Sequence, residues 1–198
     1  EEAIASSLKA AGIGLALVIL FMIFVYRIPG LVSGIALIIY TCLDLIFLNA
    51  FDLTLTLPGI AGIILSIGMA VDANVIIYAR MQEEIALGRN VRTAIQNGFQ
   101  KAFSAIFDGN ITTLIAAFVL NWLGSGTVKG FAQTLALGIV LSMFTALVVS
   151  RFIAYAMYAV GIRDEKFYGR KKERQPIRFL QKKRIFFAVS IILVRSEE

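Results

Sequence analysis

The chain has 198 residues, 59% of them hydrophobic and 16% charged, with a formal net charge of +6. A soluble domain of this size carries fewer apolar and more charged residues. There is no histidine, which removes the usual imidazole metal ligand and the usual near-neutral proton carrier, and a single cysteine, Cys42, excludes an internal disulfide. Apolar runs of roughly 18 to 25 residues follow one another, the length that crosses about 30 Å of hydrocarbon. The short alternating segments of a membrane β-barrel are not seen. The fold class expected is all-α: a polytopic membrane bundle of five complete spans with one amphipathic helix at the surface.

The first span is expected over residues 5–26. Arg27-Ile28-Pro29-Gly30 then breaks the run, with Pro and Gly as punctuation. The second span, 31–49, contains Cys42, expected to pack as a small hydrophobe. It also contains Asp44, which reads either as a pathway residue or as a group facing a polar neighbour. The third span, 58–79, opens on Pro58, where a missing N–H costs nothing. The fourth is expected over 104–123 and the fifth over 128–160, long enough to tilt.

Between the third and fourth spans, Val91, Ile95, Phe99 and Phe103 fall on one helical face, with Arg92, Gln96 and Gln100 off it. This pattern suggests an interfacial helix over about 81–103, broken near Gly88-Arg89-Asn90; a plain connecting hairpin is the alternative. Residues 161–184 read as a basic cytoplasmic linker touching anionic lipid rather than a nucleic-acid site, since nothing beyond charge marks them. The apolar run 185–194 is too short to span and reads as the start of a further helix, so the chain, which begins at Glu1 without Met, is expected to be part of a longer protein. Arg27, Arg80, Arg89, Arg92, Lys101 and the linker lie on one side, against Glu1, Glu2, Lys9, Asp52 and Lys129 on the other. The basic side is expected to be cytoplasmic, which puts the first residues outside.

The chemistry centres on Asp72, deep in the run GIAGIILSIGMAVDANVIIYA (59–79). A charge at the middle of a membrane helix costs about 2.5–3.5 kcal/mol on insertion scales. Gly68 sits one turn earlier and Asn74 two residues later, and Gly62, Ser66, Ala70 and Ala73 add small residues that let helices approach closely. The helix is therefore expected at the centre of a bundle, with Asp72 desolvated there and able to exchange a proton; a buried, permanently protonated Asp is the other reading. Asp108, Asn110, Thr112 and Thr113 cluster at the start of the fourth span, although threonines also satisfy carbonyls of their own helix. Arg151 is expected to reach the cytoplasmic interface. Gly130, Gly138, Ser142 and Ala146 form a close-packing stripe on the fifth span. Nothing in the chain suggests an enzyme: there is no phosphate loop, metal-ligand cluster or nucleophile–base pair.

Three blocks in order, GMAVDANVIIYAR (68–80), AFSAIFDGNITTLI (102–115) and GTVKGFAQTLALGIVLSMFTALVVSR (126–151), resemble the SecD family, the membrane component of bacterial SecD–SecF. The stretch PIRFLQKKRIFFAVSIILV (176–194) resembles the opening of SecF, as in a fused SecD–SecF protein. The resemblance implies half of a resistance–nodulation–division-type membrane domain and use of the proton-motive force, without a bound cofactor, to assist polypeptide export. It implies Asp72 as the intramembrane proton carrier, with Asp108, Asn110, Thr112 and Thr113 in support and Asn74 in the same V-D-x-N-V block. It also implies as partners the SecF half, the SecY–SecE–SecG channel, YajC, the translocating preprotein and membrane lipid, and a bacterial cytoplasmic membrane as the location. A proton-coupled exporter of lipids or small molecules, or a passive scaffold for the channel, are the competing readings.

Overall fold

The computed structural model describes residues 2–53, 56–162, 164 and 167–168. Most of the linker at 161–184, and all of residues 185–198 with the apolar run 185–194, lie outside the described residues. Within them the chain forms α1 (Glu2–Tyr26), α2 (Ile28–Ala50), α3 (Leu57–Ala86), α4 (Val91–Leu123), α5 (Thr127–Phe144), a π-helical segment (Thr145–Val149) and α6 (Ser150–Ala159). Five helices are long and apolar enough to cross a membrane, the fifth being the continuous run Thr127–Ala159.

Local chemistry sets the ends. The Thr56 side chain accepts the Gly59 N–H at 3.1 Å to cap α3, and Asn90 caps α4 by accepting from Thr93 N–H at 2.8 Å. Gly88, at φ 79°, takes the left-handed conformation that stops α3. Between α1 and α2 the turn is a single residue, Arg27, at φ 57°. It closes only because Gly30 has no side chain: a Cβ there would overlap the Met22 carbonyl and lie 2.8 Å from Ile23 N. Gly30→Ala should therefore destabilise the chain by about 1–3 kcal/mol, the range for overpacking. The readouts are a lower melting temperature and faster amide exchange in α1; an unchanged melt would refute the assignment.

Short connections make successive helices antiparallel. One apolar cluster, with Met22, Val32, Ile77, Met81, Ile85, Val91, Ile95 and Ala154, therefore gathers the end that also carries Arg27, Arg80, Arg89, Arg92 and Lys101. A smaller cluster of Ala117, Leu135 and Ile139 lies toward the other end. Helix α3 is central, packed chiefly on α5 and α4, while α1 leans on α2.

The separate surface helix expected over 81–103 is not an element of the fold. The break is where the sequence puts it, at 87–90, but the halves on either side are continuations of α3 and α4. Thirty and thirty-three residues give lengths of about 45 and 50 Å, so the hairpin projects beyond the 30 Å hydrocarbon layer. The apolar face of Val91, Ile95 and Phe99 is buried on the end of α3, not laid on lipid, while Phe103 stays exposed. Gly98 lets the helices touch, since a Cβ there would meet Met81 backbone at 3.0 Å. Beyond the hydrocarbon, Glu84 clasps the pair: its carboxylate accepts from Asn97 and from Lys101, each at 2.6 Å. Those bonds hold the Glu84 carboxyl below the usual carboxylate range.

Candidate intramembrane site

The small residues of α3 form one stripe. Gly62, Ser66, Ala70, Ala73, Asn74, Ile77 and Met81 are buried, and the stripe meets α5. The α5 stripe answers it: Gly138, Ser142 and Ala146 are buried, and a Cβ on Gly138 would strike Ser66. Gly130 stands beside Thr56.

Asp72 does not lie on that stripe. At 100° per residue it is turned about 200° from Ala70, and it is exposed together with Gly68. The expectation of a carboxylate desolvated inside this bundle is thus corrected: α3 is central, but Asp72 points away from the centre. Asp72 and Gly68 open onto a groove of about 560 Å³ shared with Ala11, Leu15 and Val18 of α1. No hydrogen bond or ion pair reaches Asp72 or the Asp108 carboxylate among the described residues. Asp108 is likewise exposed.

The amides are what the bundle buries. Asn74 is 2% exposed, donates to Ala70 O at 2.9 Å and accepts from Ser150 Oγ at 2.7 Å, joining α3 to α6. The π-helical segment immediately precedes Ser150, and Thr145 within it accommodates the wider turn by donating to Leu141 O and Ser142 O. Such insertions rotate everything that follows, which is why Ser150 could not be paired with Asn74 from helical spacing. Asn110 is buried, donates to Ile106 O at 2.7 Å and leaves its side-chain oxygen unpaired. Thr112 and Thr113 donate to Asp108 O and Gly109 O, so their hydroxyls are spent on their own helix.

A second polar level lies on α2. Tyr40 is fully buried, with its hydroxyl 2.7 Å from Ser66 Oγ. Ser66 donates to Ile63 O at 2.8 Å, so Tyr40 is the donor of the pair. Asp44, one turn beyond Tyr40, is 1% exposed and neither carboxylate oxygen has a hydrogen-bond partner. Its polar neighbour is the buried Tyr40, one turn earlier on the same helix, which does not hydrogen-bond it. Cys42 is exposed on the outer face of α2 rather than packed in the core. Arg151 is exposed, its guanidinium 5.9 Å from the Tyr155 ring centre, near the basic end.

Residues 1–160 match the family described as protein export membrane protein SecD/SecF, C-terminal. The protein translocase subunit SecD of Acidaminococcus fermentans is 52% identical, over 89% of this chain and 42% of its own length. That of Synechocystis sp. is 54% identical, over 76% of this chain and 32% of its own. The chain thus spans less than half the length of either relative. A crystal structure of SecDF, a translocon-associated membrane protein from Thermus thermophilus, superposes with a TM-score of 0.81 at 34% identity, covering 96% of this chain and 26% of that one. SecDF in a super-membrane-facing form gives 0.80 at 35% identity, covering 98% of this chain and 26% of that one. With five apolar helices in that arrangement, the chain is a multi-pass membrane protein that belongs to the SecD/SecF family, on its SecD side.

Proposed function

We propose that this chain is the SecD membrane part of a protein translocase that uses the proton-motive force to help polypeptides cross the bacterial cytoplasmic membrane. The observation that carries the reading is Asp72: an intramembrane carboxylate on the central helix, unpaired, facing an open groove. Such residues mark ion paths. Asp108 is exposed in the same way; Asn74 ties α3 to α6, while Asn110, Thr112 and Thr113 bond within α4. The basic hairpin at Arg80, Arg89, Arg92 and Lys101 faces the cytoplasm by the positive-inside rule, so α1 begins outside.

The exposed faces of Asp72 and Asp108 suit cover by a complementary SecF half, in line with the longer SecDF neighbours. The SecY–SecE–SecG channel, YajC, the preprotein and lipid complete the proposed assembly. Collapsing the proton gradient with a protonophore, at constant ATP, should remove the export that the full-length protein adds. An added rate that survives the collapse would overturn the reading.

A further inference from the structure

Among the described residues, Asp44 is the carboxylate that is almost fully buried, 1% exposed, and without a hydrogen-bond partner. Asp72 and Asp108 can await another subunit on their open faces, but Asp44 is enclosed by its own chain, so no partner subunit can pair it. An ionised carboxylate held this way is strongly disfavoured, and even a neutral acid there wastes its hydrogen-bonding capacity. A purely structural position would be better filled by leucine.

Its depth is informative. Counting 1.5 Å per residue from the ends of α2 and α3 that meet at the connecting loop, Asp44 lies about 9 Å in, Tyr40 about 15 Å and Ser66 about 14 Å. The 2.7 Å contact of the last two agrees with that common level. Asp72 lies about 22 Å in on the same count. Asp44 thus sits in the opposite half of the membrane from Asp72, with a buried pair of hydroxyls between their levels.

The surroundings favour a proton over a metal ion. Among the described residues no cluster of three or more candidate ligands exists. Tyr40 on α2 is the ionisable neighbour of Asp44 on its own face. From α3 no charged residue precedes Asp72; Lys129 at the start of α5 is exposed and outside any ion pair. Lys9 of α1 is level with Asp44 but exposed and likewise not paired with it. From α6, Arg151, Tyr155 and Tyr158 belong to the basic end. One carboxyl with no fixed counter-charge can hold one proton and nothing larger.

We propose that Asp44 is a second proton-carrying carboxyl of this chain, set in the outer half of the membrane above Asp72. The carboxylate takes a proton arriving from the outer side and becomes a neutral acid. It then releases the same proton toward the inner half, with no other bond made or broken. This rests on the proton-driven reading above.

The test uses the full-length protein with its partner subunits in vesicles under an imposed proton gradient, with flux and export normalised to folded protein. Asp44→Asn and Asp44→Leu should each lower both at least tenfold, and Asp44→Glu should retain most of them. Leucine buries no polar group but is larger than aspartate, whereas asparagine matches its size, so the two variants together separate loss of the carboxyl from a packing defect. A folded Asp44→Leu protein with normal flux overturns the inference. Infrared difference spectra supply a readout independent of export: in an Asp72→Asn background a protonated-carboxyl band should remain and should disappear when Asp44→Asn is added, and an unchanged band in the double variant also overturns the inference. Asp72→Asn is run in parallel. If it too is fully active, the proton-driven reading fails; if only the Asp44 variants are active, Asp44 alone is excluded.

Discussion

Asp72→Asn should reduce the export contributed by the full-length protein to the level of cells lacking it, with no loss of folded protein. Asparagine has the size of aspartate but carries no charge and exchanges no proton in this range. Asp72 makes no hydrogen bond or ion pair within the described chain and stands on an exposed face, so the substitution removes no packing and frees no buried group. Its effect is confined to whatever occupies the groove beside α1. Asp72→Glu keeps the ionisable group and should keep measurable export.

The magnitude follows from the field. One charge crossing about 100 mV is worth about 2.3 kcal/mol. Moving a two-state protein from 1:99 to 99:1 takes about 5.5 kcal/mol, the work of two or three such charges. Loss of a shared carrier therefore stops the cycle rather than slowing it slightly. Normal export by folded Asp72→Asn protein, in a pulse-chase assay of preprotein processing, would favour the passive scaffold. A proton-coupled exporter of small molecules would instead lose transport of that cargo while preprotein processing stayed normal.

Helix number, order and most boundaries are legible in the residues because apolar length alone sets them. Tyr26, Ala50 and Leu123 end helices within a residue of where the hydropathy changes. The hairpin was harder to read. An amphipathic stripe such as Val91, Ile95 and Phe99 looks the same whether its partner is lipid or the end of α3, and only Gly98 against Met81 distinguishes them. The site shows the same limit. Spacing identified α3 as a helix of close approach, and the stripe through Ser66 and Ala70 confirms it. The same periodicity places Asp72 on the far side from Ala70, so a carboxylate in a central helix need not be central itself. The link from Asn74 to Ser150 depends on a π-helical turn with no composition of its own. Asp44 carried its signal from the start, as a second charge in an apolar run, but only enclosure by the surrounding helices separates it from Asp72.

The sharpest structural prediction concerns Gly138. Three helices meet there: a Cβ would strike Ser66 Oγ of α3, lie 2.5 Å from Ser66 Cβ, and come within 3.0 Å of the Tyr40 hydroxyl of α2. A displaced Ser66 side chain could relieve the first contact, but Ser66 Cβ moves only with its backbone. Gly138→Ala should therefore cost about 1–3 kcal/mol as overpacking, and Gly138→Leu should prevent accumulation of folded protein. Removing the obstacle tests the cause. Ser66→Gly deletes both atoms that the new methyl meets first, and it should restore much of the stability of Gly138→Ala although it destabilises the parent on its own. In a double-mutant cycle of melting temperatures in detergent, the coupling should exceed about 1 kcal/mol. Additive losses would mean that α3 and α5 do not touch at this level. The same cycle bears on Asp44, because α2 is held to α3 by the Tyr40–Ser66 bond one turn away. A Gly138 variant that folds but separates these helices would let water reach Asp44, and its proton flux should then lose its dependence on the carboxylate.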